Sequence, residues 1–299
     1  MATAPPAAGM PRAPMHNARM IALSVSPAAR SPGLVRAPRR SRGRRKRRAV
    51  DRWRQRALRA WRRLNAAPRP LRIAVIAATV LLLCAATNLA YQVVRKPTEM
   101  FFPVAGALDK MPAETWAEYG PLFREYSTPA IPAELLAALA QVEGAGNPLA
   151  RTYWRWRLTW NPLAIYRPAS SAVGMYQMTD PAFAEARQAC IRDHAVVTDC
   201  WFTGLYSRVL PSHAIQLAAV SLDRKVAAIL AQQPRAPATA QQKQDLAALI
   251  HLCGAGPAKA FARRGFRLLP GQRCGAHDAA RYLASVNAMT RRFQGLAAL

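Results

Sequence analysis

Acidic residues are scarce in this 299-residue chain: 15 Asp and Glu stand against 43 Lys and Arg, for a net charge of +28. The shortage is most severe at the start. Asp51 is the only acid among residues 1–72, where 19 Arg and one Lys leave a balance of +19. The rest of the chain carries only +9, so the basicity describes a tail more than a fold. Large apolar residues are also sparse over the first forty positions, which excludes a core there and makes disorder the expectation. No CxxC or HxxxH spacing occurs, and this argues against a zinc site; no metal or cofactor is expected. No internal repeat is visible, and no convincing apolar–polar alternation marks a strand.

Long hydrophobic runs are absent with one exception. IAVIAATVLLLCAATNLAYQVV, Ile73 to Val94, is 22 residues without a formal charge, long enough to cross roughly 30 Å of hydrocarbon as a helix. The arginines crowd in front of it, which predicts a cytoplasmic N-terminus and an exported remainder. A cleaved signal peptide fits less well behind a basic region 72 residues long. The predicted organisation is a basic tail over 1–72, a transmembrane helix over 73–94, a connection over 95–111 and a domain over 112–296. Within the tail, Trp53, Leu58, Trp61 and Leu64 suit a basic amphipathic helix from Val50 to Leu64. Its arginines can pair with nucleic-acid phosphate. The apolar run behind them favours anionic lipid head groups as the partner instead.

Cysteine usage agrees with export. With Cys84 in the apolar run, Cys190, Cys200, Cys253 and Cys274 form an even set, and proximity favours the pairs 190–200 and 253–274. The exported part reads as mostly α. Apolar residues recur every three or four positions from Pro112 to about Tyr126, in IPAELL, DPAFAEARQAC, SHAIQLAAVSLDRKVAAIL, QQKQDLAALIHL and HDAARYLASVNAMTRRF. Pro234 and Pro237 are expected to end one of these helices. His194, His213, His251 and His277 are scattered and read as structural.

Two stretches carry chemistry. In QVEGAGNP, Glu143 follows Leu136, Leu139 and Ala140 by seven, four and three residues, which places it on their helix face. A carboxyl beside hydrocarbon loses hydration of its charged form and suits a general acid. Gly144 and Gly146 are expected to end the helix and admit a sugar ring or backbone. In SSAVGMYQMTDPAF, Gly174 suits a close approach, and Thr179 or Asp180 can cap a helix that begins at Pro181.

Together these stretches resemble the soluble lytic transglycosylase domain of the lysozyme-like superfamily. That pattern has a helix ending in Glu, an Asn-Pro, then Gly-Ala-x-Gly-Leu-Met-Gln; Glu143, Asn147-Pro148 and SAVGMYQ fill those positions. LCGAGP, Leu252 to Pro257, echoes the family's Ala-Tyr-Asn-Ala-Gly-Pro. The resemblance spans about residues 112–296 and implies a lysozyme-like helical domain behind a single N-terminal transmembrane helix. It implies Glu143 as the catalytic acid, with Gly174, Met175, Tyr176, Gln177 and a last-helix tyrosine, Tyr282, against substrate. The departures are Gly144, where the family usually has serine, Cys253-Gly254 in place of Tyr-Asn, and the extended segment RTYWRWRLTWNPLAIYRPAS. In that segment Trp154 and Tyr166 are candidates to stack on sugar rings, with core packing as the alternative.

Lysozyme-type hydrolysis uses two carboxylates, and no convincing second one accompanies Glu143. The resemblance implies a route needing one: cleavage of the MurNAc–GlcNAc bond of peptidoglycan to 1,6-anhydro ends, without water. The expected setting is a bacterial inner membrane with the catalytic domain in the periplasm. Glycan strands are the expected partner, and a secretion or division complex is a further one. A catalytically weak glycan-binding scaffold is the competing function, supported by the missing Tyr-Asn pair.

Overall fold

The computed structural model describes residues 41–101, 103–232 and 237–299, with side chains from residue 51 onward. The expected disorder of the first forty residues and the helix-ending role of Pro234 lie outside the described residues. The chain divides into two compact units, residues 1–72 and 73–299. In the first, α1 (Ser41–Ala66) extends further toward the N-terminus than the expected Val50–Leu64 helix, and Trp53 and Trp61 on it are exposed.

Helix α2 (Arg69–Arg95) contains the apolar run and is long and apolar enough to cross a membrane; none of its most apolar window is buried. The segment behind it, expected as a connection, carries structure of its own. Two short 3-10 turns, Pro97–Phe101 and Ala105–Leu108, fold it onto the following domain, with Glu99 and Ala105 buried.

The domain is mostly helical: α3 (Pro112–Glu125), α4 (Ala133–Gly144), α5 (Asp180–Ala186), α6 (Pro211–Leu230), α7 (Ala240–Cys253), α8 (Ala255–Arg263) and α9 (Ala279–Ala297). Helix α4 is central, packed by α3, α6 and α9. Its residues 135–140, LLAALA, are all fully buried. Leucine supplies apolar area, and alanine lets neighbours approach on every side, so the helix is enclosed around its circumference. Glu143 therefore does not occupy an oily face opposite a wet one. It lies in the last turn, where the enclosure opens.

Among the described residues three small antiparallel hairpins join the helices, and none was expected. They are β1–β2 (Trp154–Trp156 with Tyr166–Pro168), β3–β4 (Cys190–Arg192 with Ala195–Val197) and β5–β6 (Arg273–Cys274 with His277–Asp278). Helix α5 is consequently shorter than DPAFAEARQAC suggested, because Cys190 already belongs to β3. Helix α8 was also missed.

Both expected disulfides are present, Cys190–Cys200 with Cα atoms 6.1 Å apart and Cys253–Cys274 with 5.3 Å. The second joins the last residue of α7 to the hairpin that leads into α9.

Candidate active site around Glu143

Helix α4 ends in a left-handed turn. Ala145 has φ 50°, its N–H donates to the Gln141 carbonyl at 3.0 Å, and the Gly146 N–H (φ 65°) donates to the Ala140 carbonyl at 3.1 Å. This pattern satisfies carbonyls that a helix end leaves unpaired. Asn147 then clamps the turn from a buried position. Its Nδ2 donates to the Ala105 carbonyl at 2.5 Å and to Asp109 Oδ1 at 2.7 Å, and its Oδ1 accepts from the Leu149 N–H at 2.8 Å. The folded-back 95–111 segment thus fixes the end of the helix that carries Glu143.

The glycines serve the protein's own packing, not an approaching ligand. A Cβ on Gly144 would stand 2.8 Å from Met175 Cα and 2.9 Å from its carbonyl oxygen. Gly146 is closed off in the same way by the Thr115 side chain, and Gly174 (φ 80°) by the Arg208 carbonyl oxygen. The SAVGMYQ loop is therefore pressed directly against the end of α4. Position 144 has no room for the serine of the resembling family.

Around the Glu143 carboxyl, α9 and α7 each contribute one side chain. The Tyr282 hydroxyl donates to Glu143 Oε1 at 2.5 Å, and His251 Nε2 stands 3.5 Å from the same oxygen. Both contacts fall on Oε1, which leaves Oε2 as the oxygen free to face a ligand; the Glu143 side chain is 19% exposed. Burial, reinforced by the nearby carboxylate, pushes the Tyr282 phenol far above its usual value. It stays protonated, and so a donor, throughout the neutral range. Tyr282, expected against substrate, lies on α9 with its hydroxyl on Glu143 itself. Of the histidines expected to be structural, His251 is the one brought beside Glu143.

The remaining candidates divide. Gln177 (φ 44°) folds its amide back onto its own loop, with Nε2 donating to the Gly174 carbonyl at 3.0 Å. Met175 and Tyr176 are 0% and 1% exposed, and the Tyr176 hydroxyl donates to the Leu136 carbonyl at 3.1 Å. Their side chains build the core instead of contacting substrate, contrary to expectation; the loop meets α4 through its backbone. Thr179 is the N-cap of α5 without a side-chain bond, and Asp180 pairs with Arg208 at 2.7 Å, so neither caps as expected.

The Trp154 and Tyr166 rings meet at a tilt of 47° with centroids 5.2 Å apart, and the Trp154 Nε1 donates to Glu99 at 2.8 Å. Their bonds run to the segment leaving α2 and not to Glu143, Tyr282 or His251. Glu99, which the sequence did not single out, is a buried carboxylate neutralised by Lys96 at 3.0 Å and Arg151 at 3.1 Å. A cavity of about 450 Å³ lies nearby, with Gln92, Arg167, Ser171, Tyr206 and Arg208 in its wall; Glu143 does not line it. Among the described residues no cluster of His, Cys, Asp or Glu could hold a metal ion.

No protein-family model matches the sequence, and no curated protein matches it.

Proposed function

We propose that the protein is a membrane-anchored peptidoglycan lytic transglycosylase, with α2 as the anchor and Glu143 as its single catalytic acid–base. One observation carries the reading. A lone carboxyl stands at the mouth of an enclosed helix, with one oxygen held by a tyrosine hydroxyl and the other left open. Among the described residues, the side chains that touch it are a phenol and an imidazole, neither of them a carboxylate. This suits chemistry in which one group serves twice.

In that chemistry Glu143 gives a proton to the oxygen between N-acetylmuramic acid and N-acetylglucosamine, and the bond to the muramoyl C1 breaks. The substrate's own N-acetyl group supports the cation that develops, as in other substrate-assisted glycosidases. The resulting carboxylate, steadied by the Tyr282 hydrogen bond, takes the proton from the muramoyl C6 hydroxyl. The C6 oxygen then closes on C1 to give the 1,6-anhydro ring. The proton returns to Glu143, so the cycle is balanced without water. His251 orients the carboxyl from the α7 side.

Full-length protein incubated with purified sacculi should release muropeptides with 1,6-anhydro ends, read by mass spectrometry. Glu143→Gln keeps the shape and loses the titratable proton, and should lower release at least about a hundredfold. Release by Glu143→Gln at the wild-type rate would place the acid elsewhere. Reducing muramic ends would mean a hydrolase. Sacculus binding without release by wild-type protein would mean the glycan-binding scaffold.

A further inference from the structure

The β1–β2 hairpin carries a strongly exposed aromatic group. Trp156 is 75% exposed, Leu158 and Trp160 in the connecting loop are fully exposed, and Tyr153 stands out beside them. Arg155 and Arg157 alternate with them and are exposed as well. No acidic residue occurs between Asn147 and Asp180, so the surface is basic as well as apolar. Folding leaves this surface unused, although rings of this size are ordinarily covered.

What covers it follows from where the hairpin is attached. Asn88 Nδ2 of α2 donates to the Tyr166 carbonyl at 2.8 Å, and Gln92 Nε2 donates to the Leu163 carbonyl at 2.6 Å. Lys96 continues the seam, with Nζ donating to the Ala172 carbonyl at 2.9 Å. Arg72 is the last charge before the apolar run, and Asn88 and Gln92 follow it by 16 and 20 residues. At 1.5 Å per residue those positions lie about 24 and 30 Å along the helix, against a hydrocarbon layer of roughly 30 Å. The hairpin is therefore bonded to α2 at the depth where the far face of the membrane begins. Tryptophan and tyrosine favour that boundary, and arginine between them can reach lipid phosphate.

We infer that the β1–β2 hairpin is a second membrane contact, seating Trp156, Leu158 and Trp160 in the outer boundary of the bilayer that α2 spans. The inference rests on the proposed reading of α2 as a membrane span. The aromatic segment is then a lipid-facing device and not a sugar platform, and the domain is held at two points, the helix and the hairpin.

The test uses full-length protein in vesicles of phosphatidylcholine and phosphatidylglycerol with acyl chains brominated near the head group. Subtracting the emission of the double variant Trp156→Phe, Trp160→Phe from that of wild type isolates the emission of these two rings. The expected result is a blue-shifted difference emission that brominated chains quench strongly and aqueous acrylamide quenches weakly. A separate Leu82→Trp variant reports the span itself. If Leu82→Trp is quenched and the difference emission is not, the hairpin inference is overturned and the span stands. If neither is quenched, both fall. Shielding from lipid and acrylamide together, with a doubled mass in detergent, would assign the surface to a second copy of the chain. A difference emission altered only by added glycan strands would assign it to sugar. Either result overturns the inference.

Discussion

A short hydrogen bond from a buried phenol is the contact that most constrains Glu143. The Tyr282 hydroxyl holds Oε1 and leaves Oε2 open, so it acts on the carboxyl's orientation. Tyr282→Phe removes that hold while keeping the ring in the core. A hydrogen bond to a charged group contributes about 1.5–3 kcal/mol, so turnover on sacculi should fall roughly ten- to a hundredfold. Stability should fall by no more than the same amount, about 1.5–3 kcal/mol, leaving the variant folded at assay temperature, so the loss of turnover reports position and not loss of fold. The two contacts differ in how legible they were. Tyr282 could be placed because its helix closes a recognisable order of motifs. His251 could not, since nothing local distinguishes a histidine near the end of α7 from the other three. Its meaning arises only when α7 and α4 meet. Glu99 was hidden for the same reason: its partners Arg151 and Trp154 lie about fifty residues further on.

At the scale of elements, the long helices were readable from their apolar spacing, and the short ones were not. The hairpins contain two or three residues per strand, too few to show alternation. In β3–β4 the turn is Asp193-His194, both with positive φ, where glycine or asparagine is the usual signal. Helix α8 opens with Ala-Gly-Pro, which reads as a break, yet its proline falls in the first turn, where its missing N–H costs no helical bond.

The meeting of α4 with the SAVGMYQ loop makes its own prediction. Gly144→Ser restores the residue usual in the resembling family, but its Cβ would press on Met175 backbone that cannot swing aside. The variant should lose about 1–3 kcal/mol, as overpacked sites do, seen as a lower denaturation midpoint. The Cys253–Cys274 bond works between elements too. It closes a loop of 21 residues, for which chain entropy predicts a contribution of about 3 kcal/mol. It also ties the helix bearing His251 to the hairpin that launches the helix bearing Tyr282. Replacing both cysteines by serine should therefore lower activity on sacculi more than replacing Cys190 and Cys200, although the stability losses should be similar.

The molecule as a whole should be sensitive to alkali. Burial raises the phenols of Tyr176 and Tyr282 well above their usual value, and burial with the neighbouring Glu125 raises Tyr126 to about 12. Each proton is held more tightly in the folded chain than in the unfolded one. The stability this provides is complete below the unfolded value of about 10 and is lost as pH rises through the folded values. The denaturation midpoint should therefore stay level through neutral pH and begin to fall above about pH 10. A flat profile to pH 12 would mean that these phenols are free in the folded chain.

The seam of Asn88, Gln92 and Lys96 leaves no slack between the proposed anchor and the domain behind it. A flexible stalk would let a catalytic head sweep outward; this one is moored flush. A compact domain of nearly 190 residues has a radius of gyration of about 16 Å, which on the proposed topology sets the reach of Glu143 above the lipid. On the proposed topology, glycan lying further out than a few tens of ångströms is beyond it. Under the proposed function the work then falls on strands close to the bilayer: either newly made glycan, or glycan drawn inward by another machine.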